Sequence, residues 1–67
     1  MTPCFYAFYV GLIRIEIRQC VNGWQYKAWH GSFQFSKGEY FETAEFAERL
    51  GRDVAEDCAL YGIPNNL

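Results

Sequence analysis

The stretch TAEFAERLGRDVAEDCALY, residues 43–61, decides the fold. Its apolar residues Ala47, Leu50, Val54, Cys58 and Tyr61 recur in steps of three and four, which places them on one stripe of a 3.6-residue helix. Thr43 offers a hydroxyl to the amides of the first turn, and Glu45 and Glu48 come early, where the helix dipole favours negative charge. Glu45–Arg49, Glu48–Arg52 and Arg52–Glu56 are spaced four apart on the outer face, each pair contributing about 0.2–0.5 kcal/mol. Gly51 falls on the inward side, where it costs about 1 kcal/mol of helix propensity but lets the backbone approach a large ring beneath it. Gly62 and Pro64 supply a left-handed cap and a residue that cannot continue the helix. Such a stripe needs a surface to cover, and the preceding residues read as a sheet.

Immediately upstream, Glu39-Tyr40-Phe41 reads as a short last strand entered through a tight turn at Ser36-Lys37-Gly38-Glu39. Asn22-Gly23 is the strongest local signal in the chain, because both residues tolerate the positive φ of a type I′ turn and both flanks are strand-like. A two-residue loop there pairs Val21 with Trp24 and Ile17 with Ala28. Ile13, Ile15, Ile17, Val21, Trp24, Tyr26 and Ala28 then share one face, and Arg14, Glu16, Arg18, Gln25, Lys27 and Trp29 share the other. Gly31 breaks the second strand as a bulge or bend, after which Phe33 and Phe35 alternate with Gln34 in the opposite phase. Phe5 to Arg18 reads as one long strand or as two joined near Gly11. If the parity holds through Gly11, Tyr6, Phe8, Val10 and Leu12 lie on the outer face beside Arg14 and Arg18. The alternative is that Gly11 reverses the parity or that the amino segment folds over the sheet.

Composition bounds the rest. Sixty-seven residues make one domain, 1–67, with a core that is adequate but thin. Phe 6, Tyr 5 and Trp 2 are more rings than one helix on one sheet readily hides, which raises the expectation of a sticky face. The net charge of −2 is unlike that of a strongly electrostatic nucleic-acid binder. It is unevenly spread: residues 1–33 hold Arg14, Arg18 and Lys27 against Glu16, a balance of +2, and residues 34–67 hold three basic and seven acidic residues, a balance of −4. Cys4, Cys20 and Cys58 are odd in number and lack metal-ligand spacing, so free thiols in a reducing cytoplasm are expected, with no disulfide and no metal. The apolar run from Cys4 to Ile13 is too short for a membrane span and lacks the basic lead of a signal peptide.

The junction Phe41-Glu42-Thr43-Ala44-Glu45-Phe46-Ala47 resembles the corresponding segment of AP2-type DNA-binding domains, a three-stranded antiparallel sheet followed by one helix. Related sheets occur at the amino end of some tyrosine recombinases. The likeness covers about twenty of the 67 residues. It implies that the uncovered sheet face enters a major groove, with Arg14, Arg18, Lys27 and Trp29 as contacts and Gln25 beside them. The chain departs from that family in its first strand, where Leu12-Ile13-Arg14-Ile15-Glu16 replaces a basic run and Glu16 has the wrong sign for phosphate. As a whole the chain is similar to small bacterial proteins, cyanobacterial ones among them, that carry no assigned role.

Two functional readings follow. The first is a non-enzymatic protein-interaction module, a homodimer or small subunit, that docks through the uncovered sheet face or the edge of the first strand, using Tyr6, Phe8, Val10, Leu12 and Trp29. The second is a nucleic-acid-binding module using Arg14, Arg18, Gln25, Lys27 and Trp29 on the same face. The aromatic excess and the acidic balance favour the first. His30 is the lone histidine, with no nucleophile or orienting carboxylate placed around it, so no enzyme activity and no cofactor are expected. The expected fold is α+β: an antiparallel meander of three or four strands with one carboxy-terminal helix packed on one face. Its core is expected to include Ile13, Ile15, Ile17, Trp24, Tyr26, Ala28, Ala47, Leu50, Val54 and Cys58.

Overall fold

Tight turns and strict side-chain alternation build the sheet of this chain. The computed structural model describes residues 4–35 and 38–62. Strands β1 (Cys4–Val10), β2 (Ile13–Cys20), β3 (Gly23–His30) and β4 (Phe33–Gln34) form one antiparallel sheet in the order β1-β2-β3-β4, and the helix α1 (Ala44–Tyr61) follows. This is the expected α+β meander with a carboxy-terminal helix, in its four-stranded form.

Of the two readings of Phe5 to Arg18, the pair of strands is correct. Val10 pairs with Ile13 across a two-residue turn, Gly11-Leu12, in which Gly11 has φ +60°. Gly31, at φ +61°, begins the matching turn from β3 to β4 and is therefore a hairpin residue rather than a bulge. Positive φ at the first loop residue is the mark of a type II′ hairpin.

The middle hairpin departs from expectation. Cys20 pairs with Gly23, so the loop is Val21-Asn22, and Ile17 faces Tyr26 while Ile15 faces Ala28. Among the described residues no non-glycine residue, Asn22 included, has positive φ, so a type I′ turn at Asn22-Gly23 is ruled out. Gly23 is needed for another reason: a Cβ there would lie 2.7 Å from the carbonyl oxygen of Phe41. The Phe41 segment crosses this end of the sheet, with Trp24 N–H donating to Phe41 O at 2.8 Å and Phe41 N–H to Trp24 O at 2.7 Å. That single bridge stands where a short last strand was expected, and part of the expected turn before it, Ser36 and Lys37, lies outside the described residues. Because the register moves by two, every side chain keeps its face. Only Val21 leaves that face, fully exposed in the loop.

The helix lies across β2 and β3 and reaches β1 at its margin. Thr43 caps it, its hydroxyl accepting from Phe46 N–H at 3.1 Å, and Gly62 at φ +95° closes it with N–H donating to Cys58 O at 2.9 Å. Pro64 lies outside the described residues. The core comprises Ile13, Ile15, Ile17, Tyr26, Ala28, Ala47, Ala55 and Cys58, with Trp24, Leu50 and Val54 partly buried against it. Tyr61, expected on the inward stripe, is exposed at the last residue of the helix. Gly51 has the expected role: a Cβ would meet Ile15 Cγ2 at 2.8 Å and Tyr26 Cβ at 3.2 Å. Tyr26, Phe41 and Phe46 stack in a row, at 6.2 Å and then 5.5 Å between centroids, tying strand, crossing segment and first helical turn together.

Candidate interaction surfaces

Alternation along β2 and β3 puts Arg14, Glu16, Arg18, Gln25, Lys27 and Trp29 on the sheet face away from the helix, as expected. Every charge of residues 1–33 thus stands on one surface. Glu16 is at its centre and is buried to 9% exposure, although no element described here covers it. Its two carboxylate oxygens accept from Arg14 Nε at 3.0 Å and from Arg18 Nη2 at 2.7 Å, with Lys27 directly across the strand. Burial pushes the carboxyl up, but the hydrogen bonds from Arg18 and Arg14 outweigh it and hold the group below its ordinary range. Arg14 is in turn held more firmly protonated, first by Glu16 and next by the hydroxyl of Tyr9. Cys20 Sγ donates to Gln25 Oε1 at 3.5 Å. Trp29 lies between Arg14 and Gln34, half-buried, and its indole Nε1 is enclosed with no acceptor among the described residues.

The apolar row does not lie there. Tyr6 pairs with Ile17, Phe8 with Ile15 and Val10 with Ile13, so these three point to the helix side, where they are partly buried against the core. Their expected place on the outer face is corrected: the Gly11-Leu12 turn reverses the chain, so parity cannot run through it. Leu12 is at the tip of that turn, 78% exposed. Tyr6 and Phe8 instead fasten β1 to α1. Tyr6 Oη donates to Glu48 Oε1 at 2.5 Å, Arg52 Nη2 donates to Glu48 Oε2 at 2.8 Å, and the Arg52 guanidinium lies 4.5 Å above the Phe8 ring centre. Burial and the bond to Glu48 push the Tyr6 phenol up to about 12, and the Tyr6 and Arg52 donors hold Glu48 low.

The surface that alternation alone does not reveal is the edge of β1. Among the described residues no strand pairs with its outer side. Val10 and Ile13 flank a two-residue turn and so exchange their backbone hydrogen bonds, as do Phe8 with Ile15 and Tyr6 with Ile17. Ala7 and Tyr9 therefore turn N–H and C=O outward. This seven-residue edge, CFYAFYV, has neither a charge nor a proline, and its one irregularity is a bulge between Cys4 and Tyr6. The bulge brings Phe5 beside Tyr6 and into edge contact with Trp24 at 4.9 Å. The last strand on the opposite side of the sheet, β4, is only two residues long.

A cleft of about 350 Å³ opens between the Gly11-Leu12 turn and the far half of the helix, lined by Val10, Ile13, His30, Ala55, Cys58 and Ala59. His30 and Cys58 share it. Burial, with Asp57 nearby, pushes the Cys58 thiol up, the opposite of what an activated nucleophile needs. Cys20 and Cys58 are free thiols. Among the described residues no group of three or more His, Cys, Asp or Glu could hold a metal ion, and no helix is long and apolar enough to cross a membrane. Searches with this chain match no family model, no curated protein and no solved structure.

Proposed function

We propose that this chain is a small non-enzymatic protein-interaction module that self-associates by strand addition along the open edge of β1. The observation that carries the reading is the edge itself: seven residues of apolar strand, uncharged and free of proline, with the amides of Ala7 and Tyr9 turned outward. Natural sheets normally blunt such an edge with charge, proline or brevity, and β4 is blunted in the last way. Here Tyr9, 64% exposed, and Phe5, 61% exposed, stand beside it. Strand addition uses main-chain bonds for affinity and flanking side chains for selectivity. The free thiols at Cys20 and Cys58 suit a reducing compartment such as the cytoplasm.

A second reading has its own support. The outer face collects Arg14, Arg18 and Lys27 beside Trp29, the set that the AP2 resemblance assigns to nucleic acid. Against it, Glu16 already engages both arginines and Trp29 turns its donor inward.

One measurement separates the two: solution mass over a range of protein concentrations, in low and high salt, with and without a mixed-sequence DNA duplex, for the natural chain and for Tyr9→Lys. Strand addition predicts an assembly that grows with concentration, ignores salt and duplex, and is lost in Tyr9→Lys. A monomer throughout, or an assembly that Tyr9→Lys leaves intact, defeats this reading. Capture by the duplex at low salt with release at high salt establishes the second.

A further inference from the structure

Resting on that reading, we infer that the added strand is β1 of a second copy, running antiparallel, with the two-fold axis through Ala7. Ala7 is the midpoint of Cys4–Val10, so this is the one antiparallel register in which all seven residues of each strand overlap. It also suits the backbone. Ala7 points its N–H and C=O to the open side, so the two Ala7 residues exchange both bonds as a hydrogen-bonded pair on the axis.

Side chains favour the same register. Around Ala7 the sequence runs Phe5-Tyr6-Ala7-Phe8-Tyr9, and reversal about the centre sets each phenylalanine opposite a tyrosine. On the helix side Tyr6 faces Phe8 of the second copy, extending the stack the two rings already make within one chain at 6.3 Å. On the outer side only the Ala7 methyl sits at the axis, the smallest group that can, so the two sheets meet without a steric block. The bulge at the Cys4 end twists Phe5 out of the ladder, and the central pairs set the register. The helix engages β1 through Tyr6–Glu48 and Phe8–Arg52, side chains on the helix side of the sheet rather than along the strand's outer edge. A closed two-fold uses both β1 edges on each other, which ends the assembly at two copies and leaves the short β4 strand, two residues long, on the outside of each sheet.

A mixture of isotope-labelled and unlabelled chain tests this by nuclear Overhauser contacts filtered to report only between copies. Contacts from the Tyr6 ring to the Phe8 ring, and from one Ala7 methyl to the other, are expected. Alongside it, Ala7→Lys places a lysine beside Glu16 within each copy, a favourable pairing, yet sets two like charges against each other across the axis. Its dimer should dissociate at least tenfold more readily at low salt and recover in part at high salt. Between-copy contacts in another register, or an Ala7→Lys dimer as tight as the natural one, overturn the axis while leaving edge pairing in place. A natural chain that stays monomeric overturns both.

Discussion

The two faces of the sheet are held together by opposite means. Beneath the helix, Ile15, Ile17, Ala28 and Ala47 have no exposed surface, and the spacing is set by a glycine so close to its neighbours that no Cβ fits. On the open face no described element covers the side chains, yet Glu16 is almost as buried, enclosed by the arms of Arg14 and Arg18. The first face gains from apolar area and tight packing. The second replaces a missing layer with a charge triad whose arginines remain partly in water and whose worth is accordingly modest. A side chain added on the covered face should therefore matter more than a whole charge removed from the open one.

That ordering can be broken by mutation. The largest effect is expected from Gly51→Leu, which drives a side chain into Ile15 and Tyr26; overpacking of this kind costs about 3 kcal/mol, most of the reserve of a small domain. Urea denaturation followed by tryptophan fluorescence reads it, and an unchanged midpoint would mean that the helix does not approach the sheet as closely as described. Glu16→Gln keeps the shape but leaves two arginines without their counter-charge; with both arginines partly solvated, the loss should be about 1–2 kcal/mol. Should Glu16→Gln cost more than Gly51→Leu, the comparison is reversed. Tyr6→Phe removes the donor to Glu48 on the margin between the two regimes and should cost about 1 kcal/mol, with faster amide exchange along β1. If β1 amides exchange as slowly as before, the helix does not hold that strand through Tyr6.

The smallest effect is in the pH profile. Glu16 and Glu48 titrate below their ordinary value of 4.5 in the folded chain, so their contribution is complete above that value and is lost as pH falls through the depressed values. Tyr6 moves the other way, from 10.0 to about 12, so its contribution is complete below 10.0 and is lost as pH rises toward 12. Thermal melts should show a shallow acid decline, and an alkaline decline that is smaller in Tyr6→Phe. An alkaline limb identical in the two chains would separate Tyr6 from the stability of the fold.

The parts of this arrangement that repeat a local rule were legible before any coordinates. Ile13, Ile15 and Ile17 alternate with charged residues, Thr43 stands before an apolar stripe, and Gly51 faces inward, so strand, cap and close approach could each be inferred from neighbours. The open face was legible for the same reason: a register error of two residues does not change which side a residue takes. What failed was set by distant contacts. Gly23 is required by the crossing of Phe41, eighteen positions later, and a local reading assigned it to the turn. At Gly11 both a continuing strand and a reversal of parity fitted the local pattern, and the reversal decides the side taken by Tyr6, Phe8 and Val10. Ala55 carried too little hydrophobicity to announce itself as core. The edge of the first strand was named as a docking route, but that it lies unpaired among the described residues follows from strand order, which no single segment encodes.

The meander also has an order in time. Each strand pairs with the one made just before it, so the ladders need only short loops to close, and such contacts form early in folding. The helix follows all four strands, and a ribosome adds only about 5–20 residues each second. For the seconds before residues 44–61 appear, the isoleucine face has no cover. The nascent sheet is then exposed on its future inner side as well as along β1, and the amphipathic helix arrives as the shield that ends this vulnerable interval.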